Sequence, residues 1–308
     1  MKKKVGIIGL GDIAKKAYLP VLASHPQVDI VGIAARTAET VQDVGERYRI
    51  SNKYTELDEL LHEKLDAIFV HTPTDTHEDI VCRCMEKGVH VYVDKPLSYD
   101  IEASRRMIET ARATDRLLAV GFNRRFAPLY LKAKEWMDEA GGFDLLIAEK
   151  HRTRQQKLSM KETFYDDLIH MIDLLLWMGA APHELTSMLN QQDDNGRLLH
   201  ATGTLQFDGG AAAVFSMNRR AGKDMERVEL HGGGRSIAVT NLEHAIAADR
   251  STGEQSFGFG SWETISERRG FAGIIDHFIA SLDAPEQCSI AGERVWDTHV
   301  LIEQLTKR

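Results

Sequence analysis

The stretch Val91-Tyr-Val-Asp-Lys-Pro-Leu-Ser98 joins an apolar run to a lysine and a proline. The run ends abruptly at Asp94-Lys95-Pro96, which indicates a buried strand that brings a lysine to the edge of a sheet. Pro96 has no N–H and fixes its φ angle, so it ends the strand and helps to direct Lys95. In open parallel sheets, ligands bind outside the carboxyl ends of the strands. Lys95 is therefore a candidate ligand contact, and a surface lysine at a strand exit is the alternative.

A second set of residues with chemical potential is Asp166, His170 and Asp173. Their i, i+4, i+7 spacing places all three on one face of a helix. A carboxylate beside an imidazole raises its basicity and fixes its tautomer, which suits a general base near neutral pH. An exposed acidic–histidine pair is the alternative. The many apolar residues of this segment predict a largely buried helix, where a charged pair needs a reason.

The sequence Gly9-Leu-Gly-Asp-Ile-Ala14 follows a short apolar run and has the pattern G-x-G-x-x-A. Gly9 permits the tight turn, Gly11 lets a pyrophosphate approach the backbone, and Ala14 allows close packing of helix on strand. The helix that begins near Ile13 offers N–H groups and a positive dipole end to phosphates. The motif predicts a dinucleotide site.

The end of the second predicted strand decides which nicotinamide cofactor fits. It reads Ala34-Ala35-Arg36-Thr37 and has no carboxylate to bind the 2′-hydroxyl of NAD. Arg36 could pair with a 2′-phosphate, and Thr37 could add a hydroxyl, which favours NADP over NAD. Stacking of Arg36 on the adenine, or its solvation, is the alternative.

Strand and helix signals alternate as far as Phe122. Short apolar strands between helices predict an α/β domain, a doubly wound parallel Rossmann sheet over residues 1–122 that binds NAD(P). Hairpin signals follow, with glycine turns at 208–210 and 232–234. They predict an α+β domain over residues 123–308 with an open, mainly antiparallel sheet.

Composition narrows the classes of function. The 308 residues carry a net charge of −8, which argues against nucleic-acid binding, because phosphate contacts need clustered Lys and Arg. No apolar stretch is long enough to span a membrane, so we expect a cytoplasmic protein with no membrane partner. Three cysteines make no disulfide framework, and no zinc-ligand spacing occurs, so no metal is expected.

Together these motifs resemble the Gfo/Idh/MocA family of oxidoreductases, most closely its MviM-type branch. The matching segments are Gly9–Ala14, Thr72-Pro73 with His77, Asp94-Lys95-Pro96 and Gly121-Phe-Asn-Arg-Arg-Phe126. Asp94 stands where the family usually has glutamate; it is one methylene shorter but keeps the charge.

The resemblance implies a hydride transfer between a nicotinamide cofactor and a hydroxyl or carbonyl of a sugar, cyclitol or related polyol. His170 would take the hydroxyl proton, Asp166 would orient it or bind a neighbouring hydroxyl, and Lys95 would stabilise charge on the reacting oxygen. His77 would only support the site. The residues expected to bind NADP or NAD are Gly9, Gly11, Asp12, Ile13, Ala14, Arg36, Thr37, Thr72, Pro73, His77, Asp94, Lys95, Pro96, Asn123 and Arg125.

Candidates for the small polar substrate are His151, Arg152, Arg154 and Asp173, although solvated charges are an equal alternative for the first three. In the family the open sheet commonly packs on another subunit, which implies a homodimer or homotetramer. Two other functions stay open. One is a non-catalytic dinucleotide-binding regulator on the same fold. The other is a metal-dependent hydrolase using Asp166, His170 and Asp173, which lacks a further ligand set.

Overall fold

The computed structural model describes residues 1–179 and 183–308, and the chain divides into two units. Unit 1 consists of Met1–Phe122 and Phe271–Trp296, and unit 2 of Asn123–Gly270 and Asp297–Arg308. No helix in these described ranges is long and apolar enough to cross a membrane.

Unit 1 is built on a six-stranded sheet in which every neighbouring pair of strands is parallel. Its strands are β1 (Lys3–Ile8), β2 (Val28–Ala34), β3 (Lys53–Tyr54), β4 (Ala67–Val70), β5 (His90–Val93) and β6 (Leu118–Val120). The strand order β3-β2-β1-β4-β5-β6 reverses direction between β1 and β4, where such sheets bind their ligands. The predicted Rossmann architecture is confirmed.

The helices follow the strands and cover the sheets. They are α1 (Leu19–Leu22), α2 (Ala38–Tyr48), α3 (Leu57–Leu61), α4 (His77–Glu86), α5 (Ile101–Thr114), α6 (Pro128–Asp138), α7 (Met160–Thr163), α8 (Ile169–Gly179), α9 (Ile265–Arg268), α10 (Phe271–Ser281) and α11 (Trp296–Leu305). Asp100 begins α5, because its side chain accepts a hydrogen bond from the amide of Glu102. Gly88 follows α4 with φ +81°, a conformation that suits glycine after a helix.

The return of Phe271–Trp296 to unit 1 differs from the predicted second domain of residues 123–308. Its physical cause is an aromatic cluster, since Phe278 on α10 lies edge-on to Phe69 and Tyr92, with centroid distances of 5.3 and 5.4 Å. Phe271 packs on Tyr18 in the same way at 5.3 Å. The large apolar area of these rings holds the late segment against the first sheet.

Unit 2 contains an eight-stranded sheet, antiparallel except for the pair β7–β10. Its strands are β7 (Leu145–His151), β8 (His183–Gln192), β9 (Leu198–Phe207), β10 (Ala212–Asn218), β11 (Met225–Gly232), β12 (Arg235–Thr240), β13 (His244–Asp249) and β14 (Gly253–Phe257). The β9–β10 and β11–β12 hairpins form as predicted. Burial alternates along the strands, so one face belongs to the core and the other is partly open.

The helix predicted to carry Asp166, His170 and Asp173 is not a single regular α-helix. A capping box between Ser159 and Glu162 begins α7, a π-helical turn follows at Phe164–Leu168, and α8 completes the segment. Single π turns inside helices occur often at functional sites. This turn contains Asp166, so the regular α-helical spacing assumed for Asp166 and His170 does not describe the backbone between them.

A buried ion pair anchors α8 in unit 2. The guanidinium of Arg125 donates from Nε and Nη2 to the two carboxylate oxygens of Asp173, at 2.9 and 2.6 Å. Thr298 on α11 adds a hydrogen bond of 3.1 Å to the same carboxylate. Asp173 is 1% exposed and Arg125 7%. This bidentate pair therefore ties three separate chain segments together in the core.

Removing Asp173 should destabilise the protein strongly. The change Asp173→Ala leaves Arg125 buried without this counter-charge, and we expect a loss of about 3–5 kcal/mol in the free energy of unfolding. Urea unfolding followed by circular dichroism measures it. The exposed turn residue Asp194 is the matched control, and Asp194→Ala should change stability by less than about 0.5 kcal/mol. Equal, small losses in the two variants would contradict the anchoring role.

Candidate active site

The glycine turn after β1 has room for a phosphate. Gly9 has φ +88°, and a Cβ there would lie 2.5 Å from the backbone of His71 and Thr72. At Gly11, by contrast, a Cβ would meet no atom within 4 Å. The turn is therefore packed on one side and open on the other, as a pyrophosphate cradle requires. The residues present fit a dinucleotide.

The first helical turn after this motif is a π-helical segment, Ala14–Tyr18, rather than a regular α-helix. Ala14 is fully buried, in agreement with close packing of helix on strand. Ile13 is 41% exposed although it is apolar. Asp12 is exposed and pairs with Lys16 at 2.7 Å, so its carboxylate is held by its own helix.

Arg36 and Thr37 lie exposed at the carboxyl end of β2, beside the strand that leads into the glycine turn. Thr37 precedes α2, but its hydroxyl donates to the hydroxyl of Thr40 at 2.7 Å instead of capping the helix backbone. The side chain of Arg36 is exposed to solvent.

His77 is buried, and its imidazole ring connects two loops through contacts with their backbone carbonyl oxygens. Its Nδ1 lies 3.0 Å from the carbonyl oxygen of Pro96 and 3.2 Å from that of Leu97, and its Nε2 lies 3.0 Å from the carbonyl of Thr72. Burial lowers the pKa of His77. His77 is 1% exposed, so it supports the loops that carry Thr72-Pro73 and Lys95-Pro96 rather than facing a ligand itself.

Lys95 follows a carboxylate that is fixed in place. The Oδ2 atom of Asp94 lies 2.8 Å from Nδ1 of His71, which directly follows the neighbouring strand β4. Burial alone would raise the pKa of Asp94, but His71 and the hydroxyl of Tyr18 outweigh it, and the pKa is lowered. The ionised Asp94 therefore joins the ends of β4 and β5 and sets the backbone from which the half-buried Lys95 extends.

In unit 2, Asp166 and His170 have defined neighbours. The carboxylate of Asp166 accepts a hydrogen bond of 2.6 Å from Nε2 of Gln156. His170 is 7% exposed, and its Nε2 lies 3.3 Å from Nη1 of Arg124. A guanidinium only donates, so Nε2 of His170 acts as the acceptor in this contact. A general base accepts the proton on such a lone pair, so Nε2 is the atom of His170 that could act as the base.

A buried charge cluster lies beside this pair. Lys150 is 1% exposed, and its Nζ lies 2.6 Å from Asp167 and 3.6 Å from Glu226. Arg219 also binds Asp167, and Arg124 binds Glu226 through two hydrogen bonds of 3.1 Å. We call these residues, with Arg152, the charge cluster; its members are Arg124, Lys150, Arg152, Asp167, Arg219 and Glu226.

Burial and mutual attraction shift the acidities in the charge cluster. Burial lowers the pKa of Lys150 to about 8, although Asp167 opposes this shift. Burial alone would raise the pKa of Glu226, but Arg124 and Lys150 bring it down to about 2. The pKa of Asp167 is lowered for the same reason, chiefly by Lys150. Both carboxylates are therefore ionised at neutral pH.

Several residues predicted for ligand binding have other partners in the structure. Arg125 and Asp173, predicted for cofactor and substrate, bind each other in the core, so they are structural residues. The amide of Asn123 is 3% exposed; it donates to the carbonyl of Arg269 and accepts from Arg124. Both polar atoms of this amide already have a partner, and the contacts hold the start of unit 2.

The predicted substrate candidates after β7 differ in their environments. His151 accepts a hydrogen bond from the amide of Asn218 at 3.1 Å, so Nδ1 is engaged in its own sheet. Arg154 is exposed. Arg152 is intermediate in exposure, since its side chain is 27% exposed and its Nε lies 3.7 Å from the carboxylate of Asp167.

Sequence reasoning missed Gln156, His71, Lys150 and Glu226. A signal existed for two of them. In β7, Lys150 has the same two-residue parity as the buried Leu146 and Ala148, and in β11, Glu226 has the parity of a buried valine and leucine. A charge on the core face of a strand needs an opposite charge nearby. Gln156 lies in an irregular segment, and no pattern marks it.

No group of three or more His, Cys, Asp or Glu residues that could hold a metal ion occurs in the parts of the chain that the structure describes. The alternative of a metal-dependent hydrolase that uses Asp166, His170 and Asp173 is therefore not supported by these residues. The carboxylate of Asp173 is bound to Arg125 instead.

Comparison with known proteins agrees with this geometry. A family model described as an oxidoreductase family with an NAD-binding Rossmann fold matches residues 3–122, and a model of the YceM-like C-terminal domain matches residues 128–249. YceM of Salmonella typhimurium, named as an oxidoreductase, is 32% identical over 303 residues, which are 98% of this chain and 96% of that protein.

Two further relatives are a scyllo-inositol 2-dehydrogenase (NAD(+)) and a dehydrogenase of known structure. The first, from Bacillus subtilis, is 29% identical over 82% of this chain and 78% of its own length. The second, the dehydrogenase MviM from Clostridium difficile, is 30% identical with a TM-score of 0.93 over 100% of this chain and 99% of its own. The similarity therefore covers both units, and the chain belongs to the Gfo/Idh/MocA family of oxidoreductases, close to its MviM type.

Proposed function

We propose that this protein is an NAD(P)-dependent dehydrogenase that interconverts a CH–OH group and a carbonyl in a polyol, cyclitol or sugar. The observation that carries the proposal is the carboxyl edge of the Rossmann sheet. There, the open side of Gly11 and the fixed Asp94-Lys95 segment follow strands close to the point where the strand order reverses. Relatives named as inositol dehydrogenases support the class of substrate.

The cofactor, when bound, supplies the hydride acceptor or donor at its nicotinamide ring. The remaining chemistry belongs to the chain. His170 takes the hydroxyl proton at Nε2 as the carbonyl forms, after Arg124 gives up its contact with that atom. Lys95 donates a charged hydrogen bond to the substrate oxygen while that oxygen loses its proton to His170. Asp166, oriented by Gln156, binds a neighbouring hydroxyl or the imidazole.

We further propose NADP as the preferred cofactor, because the end of β2 offers Arg36 and no carboxylate. A guanidinium binds a phosphate through two parallel hydrogen bonds, whereas it gains little from a ribose hydroxyl.

We also propose that copies of the chain associate through the outer face of the unit 2 sheet. Strand register aligns a row of outward residues across it, Thr204, Val214, Ile147, Glu229, Ala238 and Ile246. Ile246 is 49% exposed although it is apolar. Ile147, Val214, Ala238 and Ile246 make this row mainly apolar, and a contiguous apolar patch on an exposed face is typical of a subunit contact.

Variants of Lys95 and His170 test the catalytic roles. Lys95→Met and His170→Asn should each lower kcat by about 10²–10⁴-fold, since each removes a proton-transfer or charge-stabilising group. Fluorescence titration with NADPH should give a dissociation constant within about threefold of the wild type. Steady-state reduction of NADP and NAD with a panel of polyols and sugars measures turnover. Unchanged turnover in either variant contradicts its role, and a wild type that binds cofactor but oxidises nothing in the panel favours the regulator.

The cofactor preference is tested by one arginine. Arg36→Met should weaken NADP binding by about 10- to 100-fold, the effect of a lost charged hydrogen bond, and leave NAD binding unchanged. Titration of each cofactor separately measures this. Arg47, exposed at the end of the following helix α2, is the control, and Arg47→Met should affect neither cofactor. Tighter binding of NAD than NADP by the wild type would overturn the preference.

Disrupting the outer face should dissociate the oligomer. Ile246→Glu places a charge on the outward row, where burying it against a second copy costs several kcal/mol, on the order of the association energy of a weak dimer. Light scattering on a gel-filtration column should change from the mass of a dimer or tetramer to that of a monomer. Asn195→Glu, in an exposed turn of the same unit, should leave the mass unchanged. A monomeric wild type refutes the contact.

A further inference from the structure

The charge cluster of unit 2 contains more positive than negative charge. Four cationic side chains, Arg124, Lys150, Arg152 and Arg219, surround two carboxylates, Asp167 and Glu226. In the same order, the exposed fractions of these four side chains are 11%, 1%, 27% and 5%. Excess charge of one sign away from water is costly unless an opposite charge arrives.

Asp224, a further carboxylate close enough for Arg152 and Arg219 to lower its pKa, does not remove this excess from the interior. Asp224 is exposed to solvent, and its oxygen accepts hydrogen bonds from the amide and hydroxyl of Thr153, at 2.7 and 2.9 Å. Water screens an exposed carboxylate, so it compensates buried cations weakly.

Two arginines have donors to spare. Nε of Arg219 is buried and has no hydrogen-bond partner among the described residues. The contacts of Arg152 are long, 3.5 Å from Nη1 to the carbonyl oxygen of His151 and 3.7 Å from Nε to Asp167. A guanidinium carries five N–H donors, and buried donors are normally paired. Arg152 in particular can offer a planar pair of donors to an anion.

Arg152 lines a cavity of about 480 Å³ within unit 2. Its lining carries three arginines, Arg124, Arg152 and Arg269, and three carboxylates, Asp224, Glu226 and Glu243. Glu226 is already bound by Arg124, and Asp224 and Glu243 are exposed to solvent, so the carboxylates leave Arg152 without a strong buried counter-charge. Arg124 is shared between this cavity and Nε2 of His170. A group bound by Arg152 in the cavity would therefore lie one side chain away from the proposed base.

We propose that this cavity binds the carboxylate or phosphate of the substrate, so that the enzyme acts on an acidic sugar or polyol rather than a neutral one. That the acid is oxidised or reduced rests on the proposed function, whereas its binding in the cavity does not. Arg152 makes the main contact, because it is the most accessible of the four cations and the least engaged by carboxylates. Arg124 contributes the remaining positive charge next to the base.

The test compares probes that differ in one charged group. Calorimetric titration of the full chain with its nicotinamide cofactor should detect D-glucuronate or D-glucose 6-phosphate binding at least tenfold more tightly than D-glucose. Which of the two acids binds distinguishes a carboxylate site from a phosphate site. Arg152→Met should weaken binding of that acid by about 10- to 100-fold, the effect of one charged hydrogen-bonded contact, and Arg152→Lys should recover part of it.

The matched control is Arg220→Met, the same charge change at an exposed neighbour of Arg219 that does not line the cavity. It should bind the acid like the wild type. For an acid that is also oxidised, Arg152→Met should raise KM by the same factor while kcat changes less than threefold. A purely structural role would lower both activity and stability.

The outcomes separate the two proposals. Arg152-dependent binding of an acid without turnover of any polyol supports the anion site and refutes the proposed reaction. Turnover of neutral polyols with no preference for acids, or equal losses in Arg152→Met and Arg220→Met, supports the reaction and overturns the anion site. Failure of both acids to bind the wild type at tens of millimolar also overturns it.

Discussion

The need to balance buried charge governs the arrangement of unit 2. Lys150 is removed from water on the core face of its strand, and a charge in that position requires carboxylates against it. Asp167 and Glu226 meet this need from a helical turn and from a neighbouring strand, so three elements are fixed by one amine. Glu226 then holds Arg124, and Arg124 touches His170. The position of the proposed base is thus set by an interaction two side chains away.

Much of this organisation could be predicted from the sequence, because the signals are local. The glycine motif predicts the turn at Gly9 and the open side of Gly11, and the Asp94-Lys95-Pro96 segment predicts a strand that ends at a ligand edge. Glycine turns predict both hairpins with their partners. The inward position of Lys150 was also available from the two-residue parity of its strand.

The parts that local patterns could not reveal depend on contacts distant in sequence. No local pattern specifies which sheet is covered by the helix that begins at Phe271, because that depends on Phe69 and Tyr92, about two hundred residues earlier. Asp173 has the spacing of a site residue, yet its partner Arg125 lies 48 positions away and uses both carboxylate oxygens. Polar residue type and spacing alone do not separate a ligand contact from a core ion pair.

The return of Phe271–Trp296 to the first unit has a consequence for how the chain is made. A ribosome releases the chain from its amino terminus, and domains generally fold in that order. Here the Rossmann sheet is complete when Phe122 emerges, but the aromatic helix that covers Phe69 and Tyr92 is synthesised only near the end. During most of translation the first sheet therefore carries an uncovered aromatic surface, and the nascent protein depends on its last segment, or on a chaperone, to keep that surface from aggregating.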